Sequence, residues 1–222
     1  MNTREELIMN KSVIFDMDGT LFQTEKILEE SLNQTLGQLD QLQIHYINNP
    51  VEKYKELMGV PLDEVWKNLL DNPLDENIQK ANEIFQKSLI FCIQSGKGML
   101  YEAVEEVLGY IKSKQYDIFI ASNGDVEYLN AIYEKYSLEQ YIKNVYSINE
   151  IESSSKVDLI KHIIKEERTN PQFIVGDRLS DFQAGKENNI NVIGCKFYFS
   201  KEEELLKADH VVNSLKDLKL II

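Results

Sequence analysis

From residue 101 onward, short apolar runs alternate with amphipathic segments, and this alternation constrains the fold more than any other feature of the chain. The runs that predict strands are 116–121, 144–148, 173–175, 191–194 and 210–212. The segments between them carry apolar residues at helical spacing, as at Val104, Leu108 and Ile111. Strands that alternate with helices pair in parallel, so the sequence predicts an α/β fold with helices on both faces of a parallel sheet.

A further strand is predicted near the amino terminus, and a long helical segment separates it from the others. The apolar residues Val13, Ile14 and Phe15 predict this first strand. The helical patterns that follow, without a convincing strand among them, are 26–39, 51–58, 62–70 and 78–93. We therefore predict two parts: a core of residues 1–21 and 97–222, and an inserted α-helical cap of residues 22–96.

Composition is typical of a globular protein and argues against two classes of partner. Hydrophobic residues make up 43% of the 222 residues and charged residues 27%, which is enough apolar material for a substantial core. The 24 Lys and Arg residues against 37 Asp and Glu residues give a formal net charge of −13. This balance disfavours nucleic acid and anionic membranes as partners. An anionic small molecule could still bind where a metal ion or a local cation dominates a cleft.

The sequence also predicts the environment of the protein. The apolar runs are too short to span a bilayer, and the polar amino-terminal residues do not resemble a signal peptide. Cys92 and Cys195 are far apart and form no CxxC pair, so we expect reduced thiols and no sulfur-ligated metal. We therefore predict a soluble cytoplasmic protein, and the sequence leaves both a monomer and a homodimer open.

Two carboxylates one residue apart follow the first predicted strand. Asp16 and Asp18 belong to residues 16–20 (DMDGT), in which Gly19 and Thr20 indicate a turn that ends the strand. Carboxylates held close together repel one another unless a cation or a shared proton offsets the repulsion. For this segment alone, an ordinary turn stabilised by Asp side chains is the alternative.

Polar residues also follow two other predicted strands. Residues 122–124 (SNG) follow the second strand along the chain, and residues 176–181 (GDRLSD) follow the fourth. Ser180 and Gln183 fit a capping box at the start of the next helix, and Lys156 begins the helix before the fourth strand. Each segment alone could be a helix cap or a solvated surface residue. Ligands bind at the carboxyl ends of parallel strands, so the joint placement of these segments favours one catalytic site.

In this order, the segments are similar to the four-motif signature of the haloacid dehalogenase superfamily. The matching segments are DMDGT at 16–20, ASN at 121–123, Lys156, and GDRLSD at 176–181. The chain most resembles the branch that contains phosphoglycolate phosphatases and β-phosphoglucomutases. The resemblance implies a Rossmann-like core with an α-helical cap inserted after the first motif, in agreement with the pattern of strands and helices.

The resemblance implies roles for individual core residues. Asp16 would be the nucleophile and form an aspartyl-phosphate, while Asp18 would protonate the leaving oxygen and then activate the hydrolytic water. Ser122 would hold phosphate oxygens, and Lys156 would balance their negative charge. The core residues implied to contact the substrate or its phosphate are Thr20, Asn123 and Gly124. The residues implied to hold Mg²⁺ are Asp16, Asp18 through its backbone carbonyl, Asp177 and Asp181.

One segment of the cap is similar to the loop that sets substrate specificity in this branch. This segment is residues 55–61 (KELMGVP), so Lys55 and Gly59 are implied to contact the substrate. An ordinary helix end, with Gly and Pro as stop signals, is the alternative. We assign Tyr54 and Trp66 to the apolar core of the cap.

The expected chemistry agrees with these roles. A phosphate dianion repels a carboxylate nucleophile, and a site with only oxygen ligands suits Mg²⁺. The sequence therefore predicts a Mg²⁺-dependent phosphatase for a small phosphorylated metabolite: phosphoglycolate, a sugar phosphate or a nucleoside monophosphate. A phosphomutase and a catalytically silent binding or regulatory protein on the same scaffold are the alternatives. Residues 23–24 (QT) and 155–158 (SKVD) differ from the common residues of the branch, which weakens an assignment to phosphoglycolate.

Overall fold

The computed structural model describes residues 9–58 and 60–222, and six strands of these residues form one parallel sheet. The strands are β1 (Asn10–Phe15), β2 (Asp117–Ser122), β3 (Asn144–Ser147), β4 (Thr169–Gly176), β5 (Asn191–Cys195) and β6 (His210–Val212). Their order across the sheet is β3-β2-β1-β4-β5-β6, and each neighbouring pair is parallel. The predicted α/β fold with a parallel sheet is therefore confirmed.

Helices connect the strands and also form the segment between β1 and β2. The α-helices of the cap are α1 (Glu25–Gln41), α2 (Pro50–Glu56), α3 (Leu62–Leu69) and α4 (Asp75–Gln94). Those of the core are α5 (Val104–Ser113), α6 (Val126–Lys135), α7 (Lys156–Glu167), α8 (Leu179–Glu187) and α9 (Glu202–Leu205). The four helical patterns predicted for the cap correspond to α1–α4.

The strand order places β1 at the point where the chain changes direction across the sheet. From β1 the chain continues to β2 and β3 on one side, and it then returns to β4, β5 and β6 on the other. Phe15 at the end of β1 is in register with Ile120 of β2 and Val175 of β4. The segments that follow these three strands therefore leave the sheet side by side, at the switch point where parallel sheets bind ligands.

Side chains of β1 alternate between two apolar layers. Val13 and Phe15 belong to the cluster on the face covered by α5 and α6, whereas Ile14 belongs to the cluster beneath α7 and α8. The first cluster continues without a break into the cap, where it includes Leu28 and Trp66. The cap is thus packed on the core through a shared apolar layer as well as connected to it by the chain.

The two chain segments that connect the core to the cap run beside each other. The backbone N–H of Gln23 donates to the carbonyl of Met99 at 2.8 Å, and that of Tyr101 donates to the carbonyl of Leu21 at 2.9 Å. Phe22 and Leu100 form an antiparallel bridge between these two hydrogen bonds. These two paired segments lie within a few residues of positions 22 and 96, the predicted ends of the cap. The exact boundaries of the cap stay a prediction.

Two further predictions can be compared with the described residues. Cys92 and Cys195 are both free and buried, as expected for reduced thiols. None of the described helices is long and apolar enough to cross a membrane. The helix that follows the fourth motif begins differently from the prediction: Ser180 lies in the first turn of α8, and Arg178 precedes the helix as its N-cap.

Candidate active site

The ends of β1, β2 and β4 bring the predicted catalytic residues to one cleft between the core and the cap. The cleft measures about 760 Å³ out to its open mouth. The predicted catalytic and metal-binding residues on its wall are Asp16, Asp18, Ser122, Lys156, Asp177 and Asp181. Residues separated by more than a hundred positions in sequence therefore meet, because parallel strands all present their carboxyl ends at the same edge.

Three buried carboxylates form the centre of this wall. Asp16, Asp177 and Asp181 each place one oxygen within 4.8 Å of the others. The Oδ2 atom of Asp177 is buried and has no hydrogen-bond partner in the described part of the chain. Gly19, at a φ of +75°, packs so closely that a Cβ there would lie 2.4 Å from this oxygen. A buried carboxylate oxygen without a donor is costly, and a cation held by the cluster would offset that cost.

A second glycine makes room for the third carboxylate. Gly176 ends β4, and a Cβ on it would lie 2.3 Å from the Cγ of Asp181. The other oxygen of Asp181, Oδ2, accepts the backbone N–H of Arg178 at 3.1 Å. The capping box that we predicted from Ser180 and Gln183 is therefore wrong. The side chain that caps α8 is the Asp181 carboxylate, which also faces the cluster.

Lys156 is the cation that the structure places against the cluster. Its Nζ lies 2.6 Å from Oδ1 of Asp16 and 2.5 Å from Oδ1 of Asp181, and the side chain is buried. Burial acts to lower the pKa of Lys156, but Asp16 and Asp181 outweigh it and hold that pKa above its ordinary value. One ammonium cannot neutralise three carboxylates, so two negative charges remain when all three are ionised.

Burial raises the pKa of the carboxyl groups in the cluster. It raises the pKa of Asp16 to about 7, where the attraction of Lys156 opposes the rise and the repulsion of Asp181 and Asp18 adds to it. The pKa of Asp177 is likewise raised, by burial and by Asp16 and Asp181. A divalent cation would reverse this penalty, and a donor set made only of carboxylate oxygens fits Mg²⁺.

Asp18 stands apart from this cluster and is held by hydroxyl groups. The hydroxyls of Thr24 and Tyr128 both donate to Oδ1 of Asp18, each at 2.5 Å. Burial away from solvent raises the pKa of Asp18, even though these hydrogen bonds act to lower that pKa. Since both donors engage Oδ1, a proton on this carboxyl group resides on Oδ2. The environment therefore suits a group that both gives and takes a proton.

The loop after β2 forms the neighbouring part of the wall. Ser122 is buried, and its Oγ accepts the backbone N–H of Gly124 at 3.0 Å. The carbonyl of Gly124 accepts the hydroxyl of Ser147, at the end of β3, at 2.6 Å. Ser122, Asn123 and Gly124 all line the cleft, so the structure brings these three predicted residues to the site.

Two of the predicted contacts do not line the cleft. Thr20 is completely buried, and its hydroxyl donates to Oδ1 of Asp177 at 3.4 Å, so it supports a carboxylate from behind. The ammonium of Lys55 pairs with Glu52 at 2.9 Å, and Lys55 is not part of the cleft wall. Gly59 lies outside the described residues. The substrate-binding roles of Lys55 and Gly59 therefore stay predictions.

The sequence analysis missed several residues of this wall. Thr24 and Tyr128 are the two partners of Asp18, and Tyr128 could have been found from its place in the first turn of the helix after the second motif. Trp66 is fully buried, as we predicted. Tyr54, which we also assigned to the cap core, lines the cleft, and the nearby Asp18 adds to the effect of burial in raising its pKa.

Arg178 connects the core to the cap at the edge of the cleft. Its Nε lies 3.1 Å from Oε2 of Glu204, and this oxygen also accepts the backbone N–H of Leu179 at 2.8 Å. A guanidinium N–H of Arg178 donates to the backbone carbonyl of Met58 in the cap. Arg178 is thus fixed to the core by Glu204 and reaches across to the cap.

Comparison with known proteins agrees with this arrangement. The sequence profile of the haloacid dehalogenase-like hydrolase family matches residues 13–195, which include all four motifs. A 5'-nucleotidase of Pseudomonas aeruginosa is 20% identical over 213 residues, a match that covers 91% of this chain and 90% of the nucleotidase.

Solved structures share the fold along almost the whole chain. One is CbbY from Rhodobacter sphaeroides in complex with phosphate, which has a TM-score of 0.79 and 17% identity and covers 95% of this chain and 96% of CbbY. Another is a predicted phosphoglycolate phosphatase from Haemophilus somnus, with a TM-score of 0.80 and 15% identity over 96% of this chain and 97% of the other. At these identities the likeness establishes the fold alone.

Proposed function

This chain belongs to the haloacid dehalogenase-like hydrolase family, and from that premise we propose that it is a Mg²⁺-dependent phosphatase of a small phosphomonoester. The observation that carries the proposal is the buried cluster of Asp16, Asp177 and Asp181 beside Lys156, with Asp18 facing the same cleft. A nucleophilic carboxylate, an acid–base carboxyl group and a cation site are the three parts that phosphoryl transfer through an aspartyl-phosphate requires.

Asp16 is the proposed nucleophile. Lys156 binds its Oδ1, which leaves Oδ2 to attack phosphorus as the bond from phosphorus to the leaving alcohol oxygen breaks. The product of this step is an acyl phosphate on Asp16 and a free alcohol. Ser122 and the backbone N–H groups of the loop after β2 are in place to hold the oxygens of the phosphoryl group, which carry the developing charge.

Asp18 is the proposed acid and base. Its raised pKa favours the protonated form, so it can give its proton to the leaving alcohol oxygen in the first step. The resulting carboxylate then takes a proton from water as the water oxygen attacks the acyl phosphate. This second step releases inorganic phosphate, regenerates the Asp16 carboxylate and returns Asp18 to its protonated form.

Asp16, Asp177 and Asp181 would hold the Mg²⁺ ion, with the backbone carbonyl of Asp18 as a predicted further ligand. When bound, the ion supplies positive charge that offsets the repulsion between the nucleophile and the phosphate dianion. The partnerless Oδ2 of Asp177 and the two uncompensated charges of the cluster support this assignment.

The relatives are consistent with phosphate ester hydrolysis. The P. aeruginosa protein is a 5'-nucleotidase, and the R. sphaeroides structure contains phosphate. The small phosphorylated metabolite that we predicted from the sequence is therefore retained as the substrate class.

A phosphate-release assay with purified protein, Mg²⁺ and a panel of phosphomonoesters tests the proposal. We expect turnover of at least one metabolite and of p-nitrophenyl phosphate. Mass spectrometry of acid-quenched enzyme should place a phosphoryl group on the peptide that contains Asp16. Absence of phosphate release from every ester, with folded and Mg²⁺-supplied protein, would contradict the phosphatase assignment. Isomerisation of a sugar phosphate without net phosphate release would instead indicate a phosphomutase.

A further inference from the structure

We propose that the cap selects a phosphomonoester whose leaving alcohol carries a flat ring with a hydrogen-bonding edge, which makes a nucleoside monophosphate the substrate class. This inference rests on the proposed phosphatase function and concerns the half of the cleft opposite the catalytic carboxylates. Three observations carry it: the apolar character of the cap wall, its lack of charge, and one unpartnered amide oxygen.

The cap wall of the cleft is apolar and partly aromatic. It is formed mainly by the aliphatic residues Leu57, Val60, Leu62 and Leu89 and the aromatic residues Tyr54 and Phe85. A polyhydroxylated sugar would lose water here without gaining hydrogen bonds, whereas a ring with apolar faces loses little. The cap wall therefore fits a planar ring better than an open sugar chain.

The aromatic residues are fixed in place. The ring centroids of Tyr54 and Phe85 are 5.3 Å apart at an interplanar angle of 55°, and Trp66 packs edge-on against Phe85 at 5.8 Å. Phe85 and Trp66 are fully buried, so they present no free face to a ligand and instead hold Tyr54 in place. Tyr54, which is 8% exposed, is therefore the aromatic side chain of the described cap wall that a ligand ring can contact.

The cap wall offers no counter-charge to a second anionic group. None of the described cap residues that line the cleft is charged, and the guanidinium of Arg178 on the core side is already paired with Glu204. The carboxylate of phosphoglycolate, or the second phosphate of a bisphosphate, would therefore lose water without finding a cation. Among the described residues, the cleft therefore suits one phosphate group, beside Asp16 and Lys156.

A side-chain amide also lies on this mostly apolar wall. Gln86 follows Phe85 on α4 and lines the cleft, and its Oε1 atom is buried without a hydrogen-bond partner in the described residues. A buried acceptor without a donor destabilises the protein until a partner supplies one. A side-chain amide carries one acceptor and two N–H donors side by side, an arrangement that pairs with the N–H and acceptor edge of a nucleobase.

The first experiment compares nucleotides with phosphate esters that carry no base. We expect kcat/KM for 5'-nucleoside monophosphates to exceed that for ribose 5-phosphate, phosphoglycolate and fructose 1,6-bisphosphate by at least tenfold, because only the nucleotides contact the cap wall. A preference for any of these three over the nucleotides would overturn the inference. If no ester is hydrolysed, p-nitrophenyl phosphate included, the proposed phosphatase function itself fails.

The second experiment tests Gln86. We expect Gln86→Leu to lower kcat/KM for the preferred nucleotide by at least fivefold and to leave that for 1-naphthyl phosphate within twofold, because naphthol has no base edge. Activity on 1-naphthyl phosphate also shows that the variant folds. Gln79→Leu, at an exposed position two turns earlier on α4, is the matched control and should change neither value. Equal effects of Gln86→Leu and Gln79→Leu on the nucleotide would remove Gln86 from substrate recognition.

Discussion

The two walls of the cleft are built on opposite principles. The core wall concentrates buried charge at the ends of β1 and β4, where Asp16, Asp177 and Asp181 surround Lys156. The described cap wall is mostly apolar, apart from the Gln86 amide and the hydroxyls of Thr24 and Tyr54, and comes from helices and the segment that connects α2 to α3. Charge fixed on a sheet edge suits the reacting phosphoryl group, which all substrates share. An apolar wall suits the leaving group, which differs between substrates.

This contrast separates catalysis from selection. Interactions with the phosphoryl group change during the reaction and therefore determine kcat, whereas contacts with the leaving group supply binding energy at a distance from the reacting atoms. Changes on the core wall should consequently affect all esters alike. Changes on the cap wall should affect only esters that reach it.

The largest effect is expected for the nucleophile. Asp16→Asn should lower kcat by about 10⁴-fold or more for every ester, because an amide cannot replace the carboxylate. The thermal midpoint should not fall, since the substitution removes one charge from a repulsive cluster. Steady-state kinetics and a thermal melt provide the measurements. Activity within tenfold of the wild type would exclude a covalent role for Asp16.

Removal of the metal should have the next largest effect. We expect EDTA to lower turnover by about 10³-fold and Mg²⁺ to restore it, whereas Ca²⁺ should inhibit because it favours a larger coordination shell. Mg²⁺ should also raise the thermal midpoint of the metal-free protein. Asp177→Asn should abolish that rise, and Asp158→Asn, whose side chain is 45% exposed, is the matched control. Full activity after exhaustive dialysis against EDTA would contradict a metal-dependent mechanism.

Lys156 tests whether the core wall acts on all substrates equally. Lys156→Ala should lower kcat/KM by about 10²-fold for nucleotides and for p-nitrophenyl phosphate alike, since the ammonium contacts the nucleophile and no leaving group. It should also destabilise the metal-free protein by about 3–5 kcal/mol, because buried carboxylates lose their only paired cation. Lys161→Ala, at an exposed pair with Asp158, is the control. A loss confined to one substrate would place Lys156 in specificity.

The pH dependence of stability offers a further contrast, because the carboxylates among the described cleft residues all lie on the core wall. An acid whose pKa is raised by folding binds its proton more tightly in the folded state, so its contribution is present at low pH and is lost as the pH rises. For Asp16 this loss should occur between its ordinary pKa of 3.8 and about 7. It should amount to at most about 4 kcal/mol, since one pKa unit corresponds to about 1.4 kcal/mol.

The measurement is a set of urea titrations of metal-free protein between pH 4 and pH 7.5. Wild type should lose stability relative to Asp16→Asn across this range, and the difference should vanish when Mg²⁺ is added. Parallel stability curves for the two proteins would show that Asp16 is ionised throughout and that Lys156 compensates it fully.

The core wall could be predicted from sequence much further than the cap wall. Asp16 and Asp177 follow apolar strands directly, and parallel strands end at one edge, so local pattern and topology together place them. Lys156 and Asp181 were predicted by their order in the chain. Their ion pair could not be predicted, because it depends on how α7 and α8 pack against the sheet.

The missed features follow from contacts that are distant in sequence. We predicted β4 as 173–175, but it spans Thr169–Gly176. The strand accommodates Pro171 because its pairing with β1 shifts register at this point. The hydroxyl of Thr169 donates to the carbonyl of Asn10 and so supports the early part of the strand. Local propensity counts the proline against a strand and cannot include that partner.

The cap wall illustrates a different limit of sequence reasoning. Tyr54 is buried as predicted, yet it faces the cleft, and an apolar pattern does not distinguish a residue in a core from a residue that lines a pocket. Gln86 carries no motif at all, and only the unpartnered oxygen in the folded structure draws attention to it. Thr20, in contrast, belongs to a strong motif and still lies behind the wall.

The smallest effect is expected where the two walls meet. Arg178→Lys keeps the positive charge but loses the planar guanidinium group, whose several N–H groups contact Glu204 and the carbonyl of Met58 at the same time. We expect kcat/KM for a nucleotide to fall about threefold to tenfold, because the cap is held less firmly over the cleft, while that for p-nitrophenyl phosphate changes less than twofold. Arg168→Lys, at an exposed position after α7, should change neither value. An equal loss for both esters would show that Arg178 acts on the phosphoryl group, and the division between a catalytic core wall and a selective cap wall would then not extend to this residue.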